Sequence, residues 1–353
     1  MPRGGAFSDL LPHDLASPVI RDLLARADVG SERVGELILS NALGAGGNPA
    51  RIAALAAGLP ERVAGLSVDR QCAGGLDALI VGDAMIRAGV HEIVIAGGVE
   101  SYSRAPLRMH RVKDGPPIPY YQAPFTPWPD RDPDMAADAD ALAQDWKISR
   151  DAQDRWAVES HRRARAANGL AAEITPINGV ARDPFTRELT LGTAARARSV
   201  AGNVTAANMA VAADGAGFVL MVSEGIAKQL GKVGVALRGG ITLGADPTRP
   251  SLAPVPAINS ILKTTGLCVA DLALIELMEA FAAQAIAGAR ACQLPCERIN
   301  TSGGALARGH PIGASGAVLA VRLFHDLQQR GGTGLAAIAS AGGLGSALLM
   351  DLG

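Results

Sequence analysis

Gly303-Gly304-Ala305-Leu306-Ala307-Arg308-Gly309-His310-Pro311-Ile312-Gly313-Ala314-Ser315-Gly316 sets one histidine among glycines, just ahead of a helical pattern that begins near Ala314. Pro311 fixes one φ angle and removes a backbone donor. Gly313 and Gly316 leave the backbone open to close approach, expected here to be by a ligand. The imidazole is therefore presented from a stiff, Cβ-poor turn rather than from a packed face. A lone histidine is more often structural, but this setting predicts chemistry.

A partner for it lies far upstream. Residues 63–68 (VAGLSV) read as a buried strand, and residues 69–76 (DRQCAGGL) turn into a helix that runs to about Ala88. Leu76, Leu79, Ile80, Ala84 and Met85 form its apolar stripe, with Gly89 as the C′ glycine. Cys72 falls at that helix's N-terminus, where partial positive charge and free N–H groups favour a thiolate. The same N–H groups can stabilise an oxyanion once the thiol is acylated. The alternative is a buried, inert cysteine.

The chain has 353 residues and a net charge of -1, a length that predicts two or three domain-sized units. Balanced charge leaves no polybasic footprint for nucleic acid or an anionic membrane. Aromatic residues make up 3%, which suits tightly packed α/β layers rather than a base-stacking surface. No apolar run approaches a membrane span, and Met1-Pro2-Arg3-Gly4-Gly5 lacks a signal peptide's apolar core. Cys72, Cys268, Cys292 and Cys296 show no zinc-like pairing, so no metal is expected. Cys292 and Cys296 read as structural thiols, and a reducing cytoplasm is the expected setting.

Residues 17–27 read as a helix and 34–39 as a strand, and Asn48 caps a helix through Ala57 with Pro49 at N1. Residues 91–98 (HEIVIAGG) read as a strand ended by a diglycine. This alternation predicts a mostly parallel, helix-covered sheet. From Pro106 to about Asn203 the character changes: prolines crowd residues 116–133, and a polar helix is expected over 149–167. Strand patterns return at 216–222, 272–277 and 336–343, with a helix over 279–290 and, after His310, another from near Ala314 that Gly331 terminates. A repeated helix, strand and Gly-Gly rhythm points to an internal duplication.

The stretch around His310 resembles the GHPxGxSG signature of the thiolase family, and Cys72 occupies the context of that family's nucleophile. Residues 97–101 (GGVES), 103–106 (SRAP), 214–216 (DGA), 254–257 (PVPA) and 279–282 (EAFA) extend the likeness over nearly the whole chain. The resemblance implies two duplicated α/β halves in a layered αβαβα arrangement with an inserted loop domain over coenzyme A. The N-terminal half would hold residues 1–106 plus 205–228, the loop domain 107–204 and the C-terminal half 229–353. It also implies a homodimer or homotetramer acting on acyl-CoA, with coenzyme A as substrate and no covalently bound cofactor. Cys72 would attack an acyl-CoA or 3-ketoacyl-CoA carbonyl, and His310 would activate the thiol and then share an oxyanion hole. The N–H groups of Cys72 and Ala341 would form a second hole. Glu279 would orient the site from behind, unless it is simply a helix N-terminal carboxylate stabilised by the dipole. On the coenzyme A side the candidates are Ala207, Ala210, Arg196 and Arg198.

The chain departs from the family pattern at several places. Ala339 stands where thiolases carry the cysteine that removes the α-proton, and Ser340 beside it is a poor base. Met278 replaces the asparagine of Asn-Glu-Ala-Phe that holds a water. Thr205-Ala206-Ala207-Asn208-Met209-Ala210 lacks a glycine and a serine of the matching family stretch, and the family's opening strand is not found ahead of Arg3. The implied activity is acyl transfer through an acyl-cysteine, by 3-ketoacyl-CoA thiolysis or acetyl-CoA condensation. The substitutions keep two further readings open. One is decarboxylative condensation or simple acyl transfer, which needs no α-proton abstraction. The other is a catalytically impaired acyl-CoA-binding paralogue.

Overall fold

Residues 1–353 are described by a computed structural model. In its first half α1 (Pro12–Ala27) leads into β1 (Glu36–Ser40), α2 (Pro49–Ala56), β2 (Leu66–Val68), α3 (Gly74–Arg87) and β3 (Ile93–Glu100). Asn48 caps α2 through its side chain, which accepts from Arg51 N, and Pro49 occupies N1 as the sequence predicts. An excursion follows. Its exposed hairpin, β4 (Arg108–Val112) and β5 (Gly115–Tyr120), lies partly within the proline-rich run and was not legible from sequence. Four helices come next: α4 (Met135–Asp145), α5 (Arg150–Ala166), α6 (Leu170–Glu173) and α7 (Leu191–Ala195). The short pair β6 (Ser199–Ala201) and β7 (Val204–Thr205) leads to β8 (Gly215–Val222) and α8 (Glu224–Leu230).

The second half runs β9 (Ala236–Gly244), α9 (Pro254–Thr265), β10 (Leu272–Leu277), α10 (Ala282–Ala291), α11 (Ala305–Arg308), α12 (Ile312–Arg330), β11 (Gly332–Ser340) and β12 (Leu344–Leu352). Strands β9 and β12 were not among the strands expected from sequence. Cys292 is buried, as a structural thiol should be, but Cys296 is exposed.

The two halves repeat one design. The first sheet has the order β2-β1-β3-β8 and the second β10-β11-β12-β9. β1 and β3 are parallel and β3 and β8 antiparallel, as are β10/β11 and β11/β12 respectively. An isolated parallel bridge, Ile275 to Ile299, stands where the first half has the β1/β2 pair. The exception is β9, which covers the outer edge of β12, whereas no strand covers β8. Residues 1–3 pair only with 212–214, and the open edge of β8 borders a 530 Å³ cleft lined by Leu23, Leu220 and Phe324.

Packing of the buried clusters defines the layers. Leu15, Ile20 and Ala53 from α1 and α2 cover one face of the first sheet at Leu37, Leu39 and Ile95. Ile38, Val94 and Ala96 on its other face join Leu76 and Leu79 of α3 and Leu319 and Leu323 of α12. The same cluster includes Leu274, Ala336 and Leu348 of the second sheet. Ile258, Ile261 and Ala285 from α9 and α10 cover that sheet's far side at Ile275, Leu335 and Leu349. The order is helix, sheet, helix, sheet, helix, and strands covered on both faces read as near-continuous apolar runs. No helix is long and apolar enough to cross a membrane.

In the middle layer α3 and α12 nearly touch backbone to backbone. A Cβ on Gly75 would sit 2.7 Å from Ala317 N, and one on Gly316 would sit 2.3 Å from Leu76 N. Gly98 is packed the same way, since a Cβ there would meet the Gly313 carbonyl at 1.9 Å. The diglycine of β3 therefore does not end the strand, which continues to Glu100. Likewise Gly313 and Gly316 are approached by the protein's own backbone rather than by a ligand: a Cβ on Gly313 would meet Asn41, Ser40 and Val99 at 3.0 Å.

Gly316→Ala therefore sets two effects against each other. Alanine gains about 1 kcal/mol of helix propensity, but backbone cannot yield as a side chain can, and overpacking costs about 1–3 kcal/mol. We expect net destabilisation in chemical denaturation; an unchanged or raised midpoint would show that the helices can separate freely.

Candidate active site

Cys72 sits in a single 3₁₀ turn, Gln71–Ala73, that feeds directly into α3. Gln71 has φ +50°, a left-handed conformation costly for a residue with a side chain. Asp69 holds it there, its Oδ1 accepting from Gln71 N at 2.9 Å and from Nε2 at 3.1 Å. The bend places Cys72 at the seam between the two sheets.

His310 reaches the same seam from the other half. Gly309, at φ +103°, makes the turn before it, and a Cβ there would meet the Ala213 Cβ at 2.9 Å. His310 N donates to the Val211 carbonyl at 2.8 Å, tying the loop to the segment entering β8. Its Nε2 lies 3.1 Å from Cys72 Sγ, and its Nδ1 lies 2.6 Å from Ser315 Oγ. The Ser315 hydroxyl donates to the Pro311 carbonyl at 3.0 Å. With its single proton used there, Ser315 Oγ accepts from His310 Nδ1–H, and this assignment leaves the Nε2 lone pair facing the thiol.

Burial dominates the electrostatics. It pushes the Cys72 thiol up to about 12, against the pull of its own N–H and of Ala341 N–H, both of which donate toward the sulfur; the Glu100 and Asp69 charges push it up further. Burial also lowers His310 to about 4. The expectation that the helix N-terminus makes Cys72 a resting thiolate is thus corrected. The N–H groups act in the predicted direction, but desolvation of the charged form outweighs them. The resting pair is a neutral thiol facing a neutral imidazole.

The other expected residues are distributed as follows. Ala341 meets Cys72 through its N–H. Ala339 is buried, and Ser340 Oγ donates to the Arg70 carbonyl at 2.9 Å, so its hydroxyl is engaged elsewhere. Met278 is buried in the apolar cluster against which Cys72 packs. Glu279 precedes α10 rather than opening it, so the helix-dipole reading does not hold. Its buried carboxylate accepts from Trp156 Nε1 at 3.0 Å, Ser160 Oγ at 2.7 Å, Asn300 Nδ2 at 2.8 Å and Leu306 N at 3.4 Å. It thereby ties α5 to the second half and touches neither Cys72 nor His310. Ala207 and Ala210 are buried in a turn where Asn208 accepts from Thr205 N, while Arg196 and Arg198 are exposed at the end of α7. The structure does not bring these four to the sulfur.

Ser315, Gln71 and Asn300 were not singled out by sequence reasoning. Ser315 was within reach, standing five residues after His310 in the stretch that decided the reading. Gln71 and Asn300 give no such signal, because their roles come from backbone conformation and from contacts distant in the chain.

Comparison with known proteins agrees with this arrangement. The family model for the thiolase N-terminal domain matches residues 1–225, and that for the thiolase C-terminal domain matches 231–352. The Bacillus subtilis protein YhfS, provisionally named an acetyl-CoA C-acetyltransferase, is 39% identical over 99% of this chain and 95% of its own. Staphylococcus aureus VraB, provisionally given the same activity, is 36% identical over 98% and 94%. Among solved structures, Bacillus anthracis acetyl-CoA acetyltransferase superposes with a TM-score of 0.90 at 31% identity, covering 99% of this chain and 95% of that one. Human mitochondrial 3-ketoacyl-CoA thiolase in complex with CoA also gives 0.90 at 31%, covering 100% and 95%. The chain belongs to the thiolase family and is an enzyme of the acyltransferase class.

Removing the Nδ1 acceptor with Ser315→Ala should slow the reaction of Cys72 with iodoacetamide about tenfold, since an orphaned buried donor costs about 1–3 kcal/mol. Cys268 and Cys296, both exposed, serve as internal controls by peptide mapping. An unchanged rate at Cys72 would remove Ser315 from the site.

Proposed function

We propose that this acyltransferase works through an acyl-cysteine at Cys72, with His310 as the base. The observation that carries the reading is the 3.1 Å approach of His310 Nε2 to Cys72 Sγ, with Nδ1 held by Ser315. As the sulfur attacks the thioester carbonyl of an acyl-CoA, its proton passes to Nε2. The carbonyl oxygen becomes an oxyanion within reach of the Cys72 and Ala341 N–H groups, and the coenzyme A thiolate then leaves with the proton from His310. Because thiol and imidazole both start neutral, the proton moves during attack rather than before it. A preformed ion pair would carry charge into a buried seam. Glu279 acts at a distance, by fixing the loop helix α5 against the second half.

The second half-reaction depends on the acceptor. In 3-ketoacyl-CoA thiolysis Cys72 attacks the 3-keto carbon, the C2–C3 bond breaks, and the acetyl-CoA carbanion takes up a proton at C2. The thiol of coenzyme A then releases the acyl group from Cys72. Condensation of two acetyl groups needs an α-proton removed, and neither Ala339 nor the engaged Ser340 supplies that base. The same group would protonate the carbanion in thiolysis, so its loss slows both directions and favours a second reading, simple acyl transfer or a decarboxylative condensation in which loss of carbon dioxide forms the carbanion. The division into 1–106 with 205–228, 107–204 and 229–353 is part of the proposal, supported by the membership of the two sheets. The family resemblance carries the proposals of a homodimer or homotetramer and of a place in fatty acid metabolism. The free thiols support a reducing cytoplasm.

Incubated with acetyl-CoA, the protein should gain an acetyl group on Cys72 by mass spectrometry. Cys72→Ser should lose the adduct while keeping its fold, and His310→Ala should slow its formation about 10²–10⁴-fold, the range of a general base. Absence of any adduct in the wild type would leave only the acyl-CoA-binding reading. Met278→Asn with Ala339→Cys should raise condensation turnover if those two positions are what limits it. No gain in an acylating double variant would move the decarboxylative reading ahead.

A further inference from the structure

Glu100 ends β3 and has no exposed surface. Its Oε1 accepts from Asn41 Nδ2 at 2.8 Å and from Leu43 N at 3.2 Å, and its Oε2 accepts from Ala42 N at 3.0 Å and Gly313 N at 3.1 Å. Those donors come from two places: the loop leaving β1 in the first half, and the first turn of α12 in the second. The opening N–H groups of a helix have no partner within it, and Pro311, at the N-cap of α12, makes no side-chain cap. Glu100 supplies that cap from the other half of the molecule, with its charge at the positive end of a 19-residue helix. The capped amide lies between His310 and Ser315, the two residues whose separation sets the imidazole.

Glu100 is also costly where it stands. Its charge disfavours the thiolate of Cys72, and burial raises its own carboxyl to about 7 against the pull of the Ala42, Gly313 and Leu43 amides. A glutamine would avoid both costs, but an amide has one acceptor oxygen and would turn its NH₂ against two of the four donors. The bonding pattern requires two acceptor oxygens.

We infer that Glu100 is a positioning residue for the Cys72–His310 pair: by capping α12 from the end of β3, it sets the depth at which His310 meets the sulfur. The inference rests on the reading of Cys72 as the acylated nucleophile, and it concerns placement, because Glu100 contacts neither sulfur nor imidazole.

The test is Glu100→Gln in the full chain at about pH 8, where the wild-type carboxylate is ionised. Single-turnover acetylation of Cys72 by acetyl-CoA is followed alongside hydrogen exchange of the peptide spanning residues 310–316. Misplacement by about 1 Å can cost about 10²-fold in rate. The maximal acetylation rate should fall on that scale, the half-saturating acetyl-CoA concentration should stay nearly constant, and exchange in the peptide should quicken. A folded variant with the wild-type maximal rate overturns the inference, as does a loss confined to half-saturation. If Glu100→Gln does not fold, Asn41→Ala, which removes one donor and leaves the carboxylate, should lower the maximal rate in the same sense; an unchanged rate overturns the inference. If even wild-type Cys72 is not acetylated, the acyl-cysteine reading fails, and the exchange measurement still decides the cap: faster exchange in Glu100→Gln supports it, and unchanged exchange overturns it.

Discussion

Close backbone contact between α3 and α12 is the constraint on which the site depends. Cys72 stands just ahead of one helix and His310 just ahead of the other, so their separation is fixed by how deeply the two helix starts interlock. Gly75 and Gly316 permit a crossing that side chains would prop open, and Gly98 lets the start of α12 settle onto β3. The pair is therefore made by the middle layer of the fold, where both sheets press inward, and not by any single loop. Placing reactive groups on packed elements in this way gives more precise geometry than loops can.

The same burial sets the chemistry. A helix start favours negative charge, and two N–H groups do aim at the sulfur, yet desolvation keeps thiol and imidazole neutral at rest. The N–H groups are then free to act where charge develops during reaction, which is how preorganised donors contribute most. The strained Gln71 fits this picture, since its left-handed backbone aims Cys72 into the seam and Asp69 holds that conformation.

Much of this was legible in the sequence, for identifiable reasons. His310 and Cys72 were found because glycine-rich, proline-stiffened turns ahead of helical patterns are local signals. The duplication was legible because each half repeats its strand and glycine pattern. Strands β9 and β12 were not, because the glycines in β9 and the turn at 341–343 blur the period. The glycines were recognised but assigned to the wrong neighbour: their close contacts are with backbone hundreds of residues away, which no local pattern reveals. Glu279 was expected to orient the site, but its partners Trp156, Ser160 and Asn300 come from other elements, so its place as a tie to α5 had to be seen in three dimensions. The thiolate expectation failed for a similar reason, since a dipole can be read from chain position and burial cannot.

If interlocked helices, rather than intrinsic cysteine reactivity, make Cys72 a nucleophile, the single-turnover rate of Cys72 acetylation must change in Gly316→Ala, measured at a temperature where the variant remains fully folded. A fall of about 10²-fold is expected, because an added methyl forces the helix starts apart. Acetylation at the wild-type rate in a folded Gly316→Ala protein would contradict it.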